Sequence, residues 1–283
     1  MRELASTSPL KNVGKRGVSW KAPISNLAVL VEHRFLVRNL VRREVRGKYR
    51  NALLGYGWAV IEPTLLSLVY WFLFIMLAGN PDQHYAVWVL IGVIVWGCFG
   101  KSLMSSVTSL SGNTRVIHLV YFPRIIFPST AMLATIVTTM MSSIVVIPII
   151  IAYGFPIGIH LILIPIGIFI AGVMGMALGL MFAPCNCIYK DIEHLFRFIV
   201  RAGFFVSPVM WTYEMAVQRG VYGEMVLWNP MVAPITIARH GLEGKWPEMP
   251  AEWLAYTVCV TILFWILGNI IFRKYEPEAV KHL

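Results

Sequence analysis

The chain has 283 residues, of which 58% are hydrophobic and 13% charged, with a formal net charge of +10. Soluble domains carry about 25% charged residues, so the apolar surface exceeds what one globular core needs and a membrane protein is expected. The positive charge is concentrated in one N-terminal block beside apolar segments rather than spread along a groove, which argues against a nucleic-acid partner.

Residues 1–26 contain no apolar core of signal-peptide length, and they are expected to form a cytoplasmic extension. Seven basic residues follow within 34–50. Placed on a helix, Arg34, Arg38, Arg42, Arg46 and Arg50 cover one arc of about 160°. Val29, Leu30, Leu36, Val37, Leu40 and Val41 fall on the opposite arc. The pattern predicts an amphipathic interface helix, within a unit spanning 27–54, with its apolar side in lipid. Two readings of the stripe stay open: an orientation signal, or a face that also meets a partner protein or anionic lipid headgroups.

A helix needs about 20 mostly apolar residues to cross a bilayer. Candidate spans run over 57–78, 85–104, 127–151 and 161–183, the last two sharing a stretch of 65 residues without Asp, Glu, Lys or Arg. The fifth, near 198–213, is short, contains Arg201 and is broken at Ser207-Pro208. It is either a kinked span or half a span followed by a re-entrant segment. The sixth covers 253–272, leaving 276–283 as a cytoplasmic tail. With six spans, 21 Lys and Arg lie inside, and only Arg219, Arg239 and Lys245 lie in outer loops, as the positive-inside rule requires. The expected class is all-α: six transmembrane helices over 55–275, an N-terminal interface helix, and short re-entrant helices before the last span.

Cys185-Asn-Cys187 is too closely spaced for a zinc half-site and has no partner pair, so no metal is expected. Gly100-Lys101-Ser102 ends like a phosphate-binding loop, but Val95 stands where the first glycine is required. No acidic pair or His/Asp/Glu cluster points to an enzyme.

Four stretches resemble, in order, the ABC-2 type permeases that export cell-surface polysaccharides (O-antigen, capsule or teichoic acid type). They are LGYGWAVIEPTLLSLVYWFLF (54–74), VYFPRIIFP (120–128), YKDIEHL (189–195) with FFVSPVMW (204–211), and WNPMVAPI (228–235). One departure is His118-Leu119, where the family often has Lys or Arg shortly before Phe-Pro-Arg. The resemblance implies a permease that is not itself an enzyme. It would lie in the cytoplasmic (inner) membrane of a prokaryote with both termini cytoplasmic, as a homodimer bound to two ATP-binding cassette subunits. ATP would be held by those subunits, and the chain itself would need no cofactor. The cargo would be a lipid-linked or long-chain glycan; the alternative within the family is export of small hydrophobic compounds or lipids.

The resemblance also assigns candidate residues. In the loop 101–124, Tyr121, Phe122 and Arg124 would form a coupling helix in the ATPase groove, with Arg42, Arg46, Lys190 and Asp191 as further contacts; the other reading of the loop is an interfacial helix touching lipid. Tyr56, Trp58, Glu62, Tyr70, Trp71, Phe74, Trp96, Arg201 and Phe205 would line the translocation path, aromatic faces suiting a sliding glycan. Interface belts, and for Glu62 a pairing with a nearby arginine, are the other reading. Trp211, Trp228, Asn229 and Pro230 would flank an external gate, or form an interfacial cap without gating role.

Overall fold

A computed structural model describes residues 22–78, 84–119 and 123–283, with the backbone alone at Phe74, Leu77 and Ala78. Every regular element among the described residues is helical. The basic segment forms two helices, α1 (Ala22–Glu32) and α2 (Arg34–Lys48), which meet at His33. There follow α3 (Gly57–Ala78), α4 (Tyr85–Val107), α5 (Thr114–Leu119), α6 (Ile126–Ser142) and α7 (Val146–Tyr153). The second half holds α8 (Leu163–Ile188), α9 (Asp191–Val206), the short α10 (Tyr213–Val217) and α11 (Val221–Leu227), then α12 (Val232–Leu242) and α13 (Ala251–Ala279).

Among the described residues four continuous helical runs, one of them joining α6 and α7, are long and apolar enough to cross a membrane: Tyr85–Val107, Ile126–Tyr153, Ile159–Ile188 and Ala251–His282. The first and fifth expected spans fall short of that measure among the described residues. α3 is helical over 22 residues, but its apolar part with described side chains is Gly57–Leu73. α9 stops after 16 residues, where Ser207 turns extended ahead of Pro208, as the residue before proline prefers. Helix α7 ends at Gly154 in the left-handed region (φ 68°, ψ 28°), a conformation that glycine adopts without steric cost.

The core lies where α8 packs on α4, α6, α12 and α13. Small residues permit the approach. A side chain at Gly175 would place its Cβ 2.4 Å from the Phe99 carbonyl, and one at Gly179 would lie 2.8 Å from that of Leu103. This Gly-x-x-x-Gly spacing lets two helix backbones touch where lipid tails give side chains no hydrophobic drive to associate.

One expectation changes. The apolar arc of the basic helix is not turned to lipid. It packs against α6, with Val37 buried and Leu36, Leu40 and Val41 half-buried, while all five stripe arginines stay exposed. A protein surface as apolar as lipid accepts the same arc. α1 is tied to the last long helix, Asn26 donating to Asn269 at 2.8 Å and Arg273 to Ser25 at 3.0 Å. Arg239, in the segment where short helices are expected before the last span, is on α12, whose eleven residues are all buried.

Candidate translocation path and coupling surface

Near the middle of α3 and α4 a cavity of about 180 Å³ gathers Glu62, Tyr70 and Trp96 from the sequence-derived path, together with Lys101 on α4 and Phe204 on α9. Tyr70 stacks on Phe204 with ring centroids 4.9 Å apart, and Trp96 packs on Phe99 at 5.0 Å. Trp96 also lies over Gly203, where any side chain would meet its indole at 3.0 Å. Glu62 pairs with Lys101 at 3.4 Å, so the acid's partner is a lysine one helix away and not an interface arginine.

The other path residues scatter. Tyr56 and Trp58 are exposed at the start of α3, Tyr56 stacking on Tyr49 at 5.4 Å. Trp71 and Phe205 face outward, and Arg201 is exposed on α9. The side chain of Phe74 lies outside the described residues. The sequence reading did not place Lys101 or Phe204 in the path. Lys101 stood out only as the end of a false phosphate loop; its value as the sole cation of the second span was the available clue.

On the coupling side, Tyr121 and Phe122 lie outside the described residues. Arg124 forms an ion pair with Glu276 of α13 at 2.8 Å, both largely buried. Arg42 and Arg46 are exposed on α2, and Lys190 and Asp191 are exposed at the start of α9. Asp191 and Glu193 occupy that helix's first turn, where negative charge favours the dipole.

The external residues converge on the break after α9. Asn229 donates to the Ser207 hydroxyl at 2.8 Å and accepts from the Met231 N–H at 2.9 Å. Thr257 donates to the Pro230 carbonyl at 3.3 Å. Trp228, exposed, stacks edge-on against Trp253 and Tyr256 at 5.5 and 5.3 Å. The backbone freed by the break is satisfied by Arg239. Its guanidinium donates to the carbonyls of Trp88 (3.0 Å), Trp211 (2.9 Å) and Val209 (2.8 Å). Buried carbonyls without such partners would be costly. Beside it His240 stands 3.7 Å from Glu214 and holds that carboxyl well below its usual range, at about 2. These groups border an outer cavity of about 450 Å³ between α10 and α12.

Residues 36–242 match the ABC-2 type transporter family. The chain is similar to the O-antigen export system permease protein RfbA of Myxococcus xanthus, 25% identical over 259 residues that cover 88% of this chain and 96% of that protein. It is also similar to an RfbA of Klebsiella pneumoniae, 24% identical with 89% and 95% covered. The polysialic acid transport protein KpsM of Escherichia coli is 23% identical, with 86% and 95% covered. With close to three quarters of its length inside the family match, the chain belongs to the ABC-2 type transporter family.

Proposed function

We propose that this chain is the membrane permease subunit of an ATP-driven exporter that moves a lipid-linked or long-chain cell-surface polysaccharide across the cytoplasmic membrane. One observation carries the reading: near-full-length similarity to permeases named for O-antigen export and polysialic acid transport. The aromatic cavity of Tyr70, Trp96 and Phe204 supports it, since ring faces hold sugar C–H faces weakly and let a chain slide. The working unit in this reading is a homodimer with two ATP-binding subunits, embedded among membrane lipids. Arg42, Arg46, Tyr121, Phe122, Lys190 and Asp191 face the ATPase. Arg124, held by Glu276, contributes by positioning the loop rather than by reaching across.

The reading places six spans in the bilayer, with α3 and α9 completing the four long helices and both termini inside. α10, α11 and α12 dip from the outer face as re-entrant helices. Irregular backbone is tolerated there because protein satisfies it, and the Arg239 hydrogen bonds supply that condition. Single cysteines at Ser111 and Lys190 are expected to react with a membrane-impermeant maleimide only from the cytoplasmic side, and one at Glu243 only from outside. Outside labelling of position 190 would remove the six-span arrangement.

Energy comes from the partner in this proposal, since Val95 breaks the one phosphate-loop-like stretch. The purified chain is expected to hydrolyse no ATP alone, and the co-purified complex with its ATPase to do so. Hydrolysis that persists after every second subunit is removed would overturn the reading.

A further inference from the structure

The outer cavity of about 450 Å³ lies between α10, α12 and the first turn of α4, within the range of about 300–1,000 Å³ typical of small-ligand sites. Thr212, Thr236, Arg239 and His240 are its buried floor. Glu214, Gln218, Lys245 and Glu248 are exposed and form its mouth.

Two groups on this wall are buried without a hydrogen-bond partner, the Trp88 indole N–H and the Thr236 hydroxyl. Buried polar groups are normally paired. A threonine in a helix can return its proton to the carbonyl one turn back, and Thr236, 3% exposed, does not. The polar neighbours are engaged elsewhere. Arg239 donates to three carbonyls, His240 accepts from the Glu248 N–H at 3.3 Å, and the Thr212 hydroxyl accepts from the Met215 N–H at 3.3 Å. None of them serves the Trp88 indole or the Thr236 hydroxyl.

The charges narrow what would serve them. Glu214 stands 3.7 Å from His240 and Glu243 3.7 Å from Lys245, and Glu248 adds a third carboxylate at the mouth. With Arg239 turned to the backbone, an incoming anion meets more carboxylates than cations. An ammonium suits the carboxylates but carries donors alone, so it leaves the indole N–H unserved. A hydroxyl does both: it accepts from Trp88 and donates to a carboxylate or to the Gln218 amide oxygen. Thr236, donor and acceptor at once, takes either end. We infer that the outer cavity is a saccharide subsite, which holds a sugar unit of the cargo by its hydroxyls, with Trp88 and Thr236 as the specificity-determining contacts. This inference rests on the glycan-export reading above, which brings a polyhydroxyl chain to the outer face.

The test uses the full chain with its ATPase in right-side-out membrane vesicles, with Cys185 and Cys259 changed to Ala and Gln218→Cys at the mouth as reporter. The rate of labelling at position 218 by an impermeant maleimide is followed while probes are added. These are oligosaccharides released by mild acid from the producing cell's own surface polysaccharide and, separately, inorganic diphosphate. The oligosaccharides are expected to slow labelling and diphosphate to leave it unchanged. Trp88→Phe removes the indole N–H, and Thr236→Val removes the hydroxyl at nearly constant shape. Neither group has a partner within the protein, so both variants are expected to fold normally and to raise the half-protecting concentration about five-fold each, with Thr236→Ser restoring it. Protection by diphosphate alone would make the cavity an anion site. Oligosaccharide protection that both variants leave unchanged would place the sugar elsewhere, and no protection would remove the site; each overturns the inference. Surface polysaccharide is measured in the same cells with and without this chain. Polymer that depends on the chain, with no protection, sinks the subsite alone; polymer that does not depend on it sinks the glycan reading beneath.

Discussion

Arg239→Met is expected to lower the thermal midpoint of the detergent-purified chain by roughly 10 °C. The substitution keeps bulk and removes five donors. The carbonyls of Val209 and Trp211, outside any helix, then lose their partner, and that of Trp88 keeps only the bond of its own helix. Hydrogen bonds to a charged donor contribute about 1.5–3 kcal/mol each. Relief from burying the guanidinium offsets part of that, leaving a net loss of about 3–5 kcal/mol. Arg239→Lys keeps the charge but not the three-way fork, so it is expected to recover less than half of the loss. A melt by size-exclusion chromatography measures both. An unchanged midpoint for Arg239→Met would mean that the break after α9 is held by something else.

Gly175→Ala and Gly179→Ala should each cost about 1–3 kcal/mol, because the added methyl meets the α4 backbone. At Gly175 the Cβ would come 2.4 Å from the Phe99 oxygen and 3.0 Å from the Leu103 nitrogen. Backbone cannot yield as a side-chain tip does, so the helices must separate. One separation relieves both clashes, and the double variant is therefore expected to cost less than the sum of the singles, a coupling typical of sites that share a partner. The same melt reads this. Strict additivity, or no loss at all, would show that α4 and α8 are not held at that spacing.

The long helices were legible because apolar length alone marks them: Tyr85–Val107, Ile126–Tyr153 and Ile159–Ile188 all cover the expected spans. What covers an apolar arc was not legible. Val37, Leu40 and Val41 look the same to lipid and to α6, so periodicity found the face and not its neighbour. The partners of Arg239 were hidden for a related reason. A lone arginine after an apolar run reads as a loop charge, and its partners lie 28, 30 and 151 residues away, where no local pattern reaches. In the candidate path, Glu62, Tyr70 and Trp96 were readable as polar or aromatic groups in apolar helices. Their meeting with Lys101 and Phe204 depends on the packing of α9 against α4, which Gly100 and Gly203 permit and which spacing within either helix does not encode.

The export reading is tested most directly in cells from which this chain alone has been removed. Surface polysaccharide is quantified together with lipid-linked glycan on the cytoplasmic side. The expected result is loss of the surface polymer with accumulation of the lipid-linked form inside. Both should be reversed by restoring the chain with an intact ATPase and not with an ATPase unable to hydrolyse ATP. Surface polysaccharide at its normal level in the absence of this chain, with no glycan accumulating inside, would contradict it.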